Sequence, residues 1–359
     1  MADPTMQTFC CHPGNGTDVG ITIMRTLNTK AYNIVCIISS TLGLLGGLYQ
    51  ILPRMQYAKN HRWLSFSAAR GRKLIVWLAL ADLFASTGVL LRSIIWLKFS
   101  NIMPVKGDNP GVIFCVLSSA LVQYFYTATW IWTFCYALDM QFVLKEKEFN
   151  SKYYHIVAWM TPFFTTSIGL SILYIPDADC HVSKSLLTVI TRILPNYVVT
   201  YVPIALVMVF NPNLYKQSTK DMERIITGVS GQFTNREREL VEAVKMKFFL
   251  INLVFYICWI PNLVNGILLW VLWFDVPLNF ISIVWYSMAF LNPLQAFFNC
   301  LVYRRWNRNS EKIIIPWQKR QVAQETNYIM NSHGDIFLQR EEILPLLRNA
   351  SAASINQVT

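Results

Sequence analysis

The stretch SMAFLNPLQAFFNCLVYRRW, residues 287–306, sets an Asn-Pro pair inside a long apolar run and ends it on two arginines. In a soluble helix interior a proline costs about 3 kcal/mol or more, because it removes a hydrogen bond and its ring clashes with the preceding turn. A chain that keeps one here needs another donor for the carbonyl left without a partner. In a bilayer, neighbouring helices and ordered water supply that donor. The arginines then mark the point where the run leaves the membrane.

The rest of the chain reads the same way. Its 359 residues are 54% hydrophobic and only 14% charged. The apolar residues sit in seven blocks, near 32–52, 74–97, 115–143, 155–175, 187–210, 248–271 and 279–302. A spanning helix needs about 20 predominantly apolar residues, and each block is long enough. Short polar connectors separate them, the one long connector being 211–247. This is the pattern of an all-α membrane protein, a seven-helix bundle over residues 32–302. Residues 1–31 contain no apolar h-region, so the first span is expected to act as its own insertion signal.

Lys and Arg set the orientation. With the N-terminus outside or lumenal, segments 53–73, 144–154, 211–247 and 303–359 face the cytosol and hold 24 of them, against 5 in the opposite segments. Such an excess on the cytosolic side is the positive-inside signature. The formal net charge of +11 is therefore chiefly a topology signal and does not point to nucleic acid. The basic juxtamembrane segments also suit anionic lipids. Asn15-Gly16-Thr17 is a glycosylation sequon on the lumenal side, with Asn15 as acceptor.

Of the eight cysteines, Cys10, Cys11, Cys115 and Cys180 fall outside, and Cys36, Cys135, Cys258 and Cys300 fall within spans. Four outer cysteines allow three pairings. Adjacent Cys10–Cys11 is geometrically poor. A bond from Cys115, opening span three, to Cys180, after span four, would pin that loop over the bundle.

Seven spans, an outer N-terminus and that bond resemble a G-protein-coupled receptor. Asn292-Pro293 is similar to the deformable Asn-Pro of the seventh helix in rhodopsin-like receptors. LALAD places Asp82 in span two, where a mid-membrane carboxylate is a functional residue by default. The resemblance implies sodium binding and a link to activation there. CWIP, Cys258 to Pro261, resembles the sixth-helix hinge, with Trp259 under the ligand and Pro261 bending the helix. Asp139 stands where the family's Asp-Arg-Tyr begins, but the triplet is Asp139-Met140-Gln141 and lacks the arginine. Ala296 replaces the tyrosine after Asn-Pro, and the amine-binding Asp maps onto Val122. The switch must therefore be built differently.

A more specific set runs in order through all spans: TFCC, VLLRSIIWL, FCYALD, YHIVAW, NYVVTYVPIALVMVFNP, ICWIPN and LNPLQAFFN. Together these resemble the ocular albinism type 1 receptor family, from about residue 9 to about residue 302. The resemblance implies a receptor of melanosome and late endosomal or lysosomal membranes, with some at the plasma membrane. It implies coupling to a heterotrimeric G protein, with arrestin as a further partner. L-DOPA or another tyrosine metabolite is the implied small-molecule ligand, and no cofactor or metal is called for.

Ligand-binding candidates lie toward the outer half. Arg92 and Arg192 are the cations within spans, and a guanidinium can grip a carboxylate through two parallel bonds. Both stand near helix ends, where arginine also snorkels to the interface. Gln123, Tyr126, Thr127 and Trp130 share roughly one face of span three, and Asn196 and Tyr197 follow Pro195 in span five. Apolar Val241, Val244 and Met246, before Lys247, suggest that span six extends into the cytosol. Tyr303 to Trp306, with Ile313 to Ile315 and Trp317, suits an amphipathic helix at the interface over 303–317. The tail 318–359 has a disordered composition. Within it Glu342, Leu346 and Leu347 match an acidic dileucine signal, whose partner is a clathrin adaptor.

Other classes fit poorly. A retinal protein needs a Schiff-base lysine, and residues 279–302 contain none. The five histidines are scattered, without ligand spacing for a metalloenzyme. No nucleophile–base constellation argues for an enzyme. A seven-span transporter or a non-signalling scaffold is the alternative.

Overall fold

The computed structural model describes residues 10, 29–52, 54–56, 62–99, 109–145, 150–174, 186–228, 235–271, 278–306 and 311–313. Among the described residues there are seven α-helices: α1 (Thr29–Ile51), α2 (Arg62–Lys98), α3 (Asn109–Leu144), α4 (Ser151–Tyr174), α5 (Leu186–Gly228), α6 (Asn235–Val271) and α7 (Leu278–Trp306). Each contains a stretch of 22 to 35 residues long and apolar enough to cross a membrane. The protein is an integral, multi-pass membrane protein.

Helices α1, α2, α3 and α4 follow one another around the bundle, and α5, α6 and α7 close it back onto α1. Helix α3 packs against α2, α4 and α5. The burial pattern explains the arrangement. On α4 the exposed side chains Ile156, Val157, Met160, Phe163, Phe164, Ile168 and Ile172 form one apolar stripe, while Tyr154, Ala158, Pro162, Thr166, Gly169 and Leu173 are buried. Lipid replaces water as the solvent, so the outward face is apolar and polar residues turn inward. Asp82, Arg92, Gln123, Asn262 and Asn292 are all buried.

The α1–α7 seam answers the question raised by Asn292-Pro293. Pro293 leaves the carbonyl of Ala289 without its helical donor, and Ser39 Oγ of α1 donates to it at 2.8 Å. Two turns on along α7, Gln50 Nε2 donates to Ala296 O at 2.7 Å. Between these two, Gly43 and Gly46 let the backbones meet. A Cβ on Gly43 would collide with Pro293 O, and one on Gly46 with Phe297 Cα. Ser39, Gly43, Gly46 and Gln50 thus form one small-and-polar face, a pattern that permits close helix approach in membranes. Pro212 of α5 is treated alike, because the Tyr256 hydroxyl of α6 donates to Met208 O, four residues before it.

Three expectations change. The connector 211–247 is mostly helix, since α5 runs to Gly228 and α6 starts at Asn235. The extension of span six is among these helical residues. In the segment 303–317, Tyr303–Trp306 finish α7, but Glu311–Ile313 form a strand, β2, instead of an interfacial helix. It pairs antiparallel with β1 (Arg54–Gln56), Arg54 opposite Ile313 and Gln56 opposite Glu311. Ladder bonds to a distant strand outweigh the local helical pattern there. The two strands belong to a unit separate from that of the helices.

The third change is the disulfide. Cys115 is bonded to Cys10, with the Cα atoms 5.6 Å apart, and not to Cys180. That separation is within the usual range for a disulfide. A sulfur holds one such bond, so the Cys115–Cys180 pairing is excluded in this structure. The long sequence separation is no obstacle, because loop-closure entropy grows slowly with length. Cys180 itself lies outside the described residues, as do Asn15, Glu342, Leu346 and Leu347.

Candidate functional site

Two clusters of buried polar and aromatic side chains run down the bundle and meet at Trp259. The first lies toward the Cys10 end. Ser119, Gln123, Tyr126, Thr127 and Trp130 recur at three- and four-residue steps on α3, so one face presents them all. Gln123 Nε2 donates to Thr200 Oγ1 of α5 at 3.2 Å and to Thr127 Oγ1 at 3.3 Å. Its Oε1 has no partner, nor has the Tyr126 hydroxyl, although both residues are buried. Tyr201 and Trp285 close this region: Asn265 of α6 donates to the Tyr201 hydroxyl at 3.1 Å and accepts from Trp285 Nε1 at 2.7 Å.

Trp259 sits at the floor of this cluster and is fully buried. Its ring meets Tyr126 and Trp130 edge-on, with centroids 5.0 and 4.9 Å apart. Its Nε1 donates to Gln295 Oε1 of α7. One indole therefore touches α3 and α7 from α6, two residues before Pro261. A rotation of this ring is felt on both neighbouring helices.

The second cluster continues from Gln295. Asp82 accepts from Thr129 Oγ1 of α3 at 3.0 Å and, at the longer distance of 3.5 Å, from Asn299 Nδ2 of α7. Ser86 Oγ reaches Pro293 O at 3.5 Å. Asn292, Gln295 and Asn299 are buried on one face of α7. A carboxylate, a hydroxyl and the unpartnered Asn299 Oδ1 are oxygen donors of the type a hard cation takes. The residues thus fit the sodium ion implied by the rhodopsin-like pattern. Among the described residues, no group of three His, Cys, Asp or Glu is placed to hold a metal.

At the far end, Gln141 of α3 is gripped at both ends of its amide. It donates to Asp221 Oδ2 at 2.7 Å and accepts from Ser218 Oγ at 2.8 Å, both on α5. Asp139 is buried beside it in sequence. The triplet that lacks an arginine thus carries an amide tie between α3 and α5.

A family profile described as the ocular albinism type 1 protein matches residues 1–343. The chain belongs to the ocular albinism type 1 family. It is 31% identical over 322 residues to human "G-protein coupled receptor 143", covering 85% of this chain and 78% of that protein. It is also similar to "Cyclic AMP receptor-like protein A" of Dictyostelium discoideum, 27% identical over 74% of this chain and 62% of that one. Squid rhodopsin shares the fold, with a TM-score of 0.52 over 84% of this chain and 86% of its own, at 13% identity. Relatives and fold are those of G-protein-coupled receptors and not of enzymes.

Within this member of the family, the residues expected from sequence divide. Asp82, Trp259, Asn292 and Pro293 converge on one axis, and Gln123, Tyr126, Thr127 and Trp130 do share a face. Arg92 is 2% exposed and does not snorkel. Its Nη1 donates to Ser119 Oγ at 2.8 Å, and Nη2 lies 3.9 Å from Cys115 Sγ. Asn196 instead faces α4, its Oδ1 against Gly169. Tyr197 bridges α5 to α6, its hydroxyl donating to Gly266 O. The side chain of Arg192 lies outside the described residues. Sequence reasoning missed Thr129, Gln295, Asn299, Ser39 and Gln141. The i, i+3, i+7 spacing of Asn292, Gln295 and Asn299 was a readable signal for a polar face on α7.

Proposed function

We propose that this receptor resides in melanosomal or endolysosomal membranes with its N-terminus in the lumen, binds a small aromatic amino-acid-like ligand such as L-DOPA or a tyrosine metabolite, and signals through heterotrimeric G proteins. The observation that carries the reading is Trp259. It joins the unpartnered polar groups of Gln123 and Tyr126, on the ligand side, to the Gln295–Asn299–Asp82 axis. A ligand that shifts Tyr126 or Trp130 displaces the indole, and the change passes to α7. The residues bend and reposition helices, and no covalent step is involved.

The 24-to-5 division of Lys and Arg supports the orientation. The dileucine pattern at Glu342, Leu346 and Leu347 supports sorting by a clathrin adaptor. Arrestin and anionic lipids are further partners of the basic segments at that end.

The test is nucleotide exchange on heterotrimeric G proteins, in membranes carrying Leu346→Ala/Leu347→Ala so that the receptor accumulates at the cell surface. L-DOPA, dopamine and tyrosine are the ligands, and Asp82→Asn is the comparison. Saturable exchange that Asp82→Asn alters supports the reading. No stimulated or basal exchange above empty membranes brings the transporter or scaffold alternative forward.

A further inference from the structure

Among the described residues, Arg92 is a buried cation that meets no opposite charge. It lies on α2, 2% exposed, beneath the Cys10–Cys115 disulfide. Its contacts are all neutral: the Ser119 hydroxyl at 2.8 Å and Cys115 Sγ at 3.9 Å. Its Nε has no partner. No carboxylate pairs with it among the described residues. Tyr32, Cys36 and Tyr174, from α1 and α4, are its other electrostatic neighbours, and none brings a fixed negative charge. A guanidinium has five N–H donors and keeps its proton in proteins. A buried cation without a counter-ion is strongly disfavoured, so intramembrane charges are found paired.

We infer that Arg92 is the anchor for a carboxylate on the receptor's ligand, which lies with that carboxylate toward the disulfide and its ring toward Trp259. The inference deepens the ligand reading above and rests on it for the occupant being a small organic molecule. The planar fork suits a carboxylate gripped by two parallel bonds. Helix α3 supplies a ruler. From Ser119 beside Arg92 to Tyr126 above Trp259 is seven residues, about 10 Å of helix at 1.5 Å each. Along that length Gln123 Oε1 and the Tyr126 hydroxyl are buried and unpartnered. The site therefore asks for a carboxylate at one end and a hydrogen-bonding aromatic group at the other. A hydroxyphenyl carboxylic acid has both, and the corresponding amine lacks the first.

The experiment is thermal melting of the purified full-length receptor in neutral detergent, which requires no G protein. The probes are 3-(4-hydroxyphenyl)propionate and tyramine. The acid is expected to raise the wild-type Tm, with an apparent affinity at least tenfold above that for tyramine. Arg92→Met removes that preference, Arg92→Lys keeps part of it, and Tyr126→Phe weakens the acid without reversing the preference. Without probe, Arg92→Met is expected to melt no lower than wild type, because it removes an uncompensated charge. An apo Arg92→Met that melts well below wild type assigns Arg92 to structure and overturns the inference. So does equal stabilisation by tyramine and the acid, or none by the acid at millimolar concentration. A receptor that melts higher with the acid yet fails to drive nucleotide exchange keeps the inference and loses the signalling reading. Exchange driven by amines alone does the reverse.

Discussion

At Ala289 a single hydroxyl decides whether the Pro293 kink is tolerated. Ser39 Oγ supplies the donor that proline removed. Ser39→Ala leaves a buried carbonyl unsatisfied, which costs about 1–3 kcal/mol. Thermal melting should show that loss, while Thr41→Ala, exposed and bonded only within its own turn, should melt like wild type. Equal melting of the two variants would mean that water satisfies Ala289 O. The proline and its need for a donor were legible in the sequence, but the donor was not. Ser39 lies 250 residues away, and an ordinary serine in an apolar helix carries no sign of its partner. The same holds for Asp82, evident as a mid-membrane carboxylate, and for Thr129 and Asn299, which only the packing of α3 and α7 brings to it.

Helices meet here where small residues and polar ties allow it. Gly46 of α1 touches the α7 backbone at Phe297. Gly46→Leu has no room without displacing α7, and overpacking of this kind costs about 1–3 kcal/mol or more. Lower expression and a lower Tm should follow, with Gly71→Ala as a mild comparison, since its nearest neighbour atom is a Tyr136 ring carbon at 3.7 Å from the Cβ position. At the other end Gln141 fastens α3 to α5 through Ser218 and Asp221. Gln141→Leu breaks both bonds, one of them charge-assisted and worth about 1.5–3 kcal/mol. Basal nucleotide exchange should rise as that end loosens, with a smaller rise for Ser218→Ala. Unchanged basal exchange in both would make the tie purely structural. Helix existence was plain from the apolar runs, whereas helix length was not. The continuation of α6 was legible from Val241, Val244 and Met246, but the charged continuation of α5 read as a loop because solvated helix faces and loops share a composition.

Over the whole molecule, the membrane class follows from seven apolar runs, and the proposed direction of insertion rests on the Lys/Arg division. The disulfide did not follow from either. Cysteine positions limit the pairings, but which sulfurs meet depends on where the N-terminal segment enters the bundle. Cys10 Sγ lies against α3, 3.8 Å from Ser119 Oγ. Non-reducing digestion should yield a Cys10–Cys115 linked peptide that survives Cys180→Ser and disappears in Cys10→Ser. Losing it should cost about 2–4 kcal/mol of stability. A Cys115–Cys180 peptide in the wild type would contradict the arrangement around Arg92.

The proposed signal is a turn of α6 about Trp259 and Pro261 in answer to ligand. Its most direct test is a spin-label distance between Lys152→Cys on α4 and Met246→Cys on α6, both exposed, in a Cys11→Ser/Cys180→Ser background; the four free cysteines among the described residues are buried. The distance distribution is measured by pulsed electron resonance with and without saturating L-DOPA, in the presence of a nucleotide-free G protein. A second, longer population that ligand enriches and Trp259→Ala abolishes is expected. A single distribution, unmoved by ligand and G protein and identical in Trp259→Ala, would contradict it.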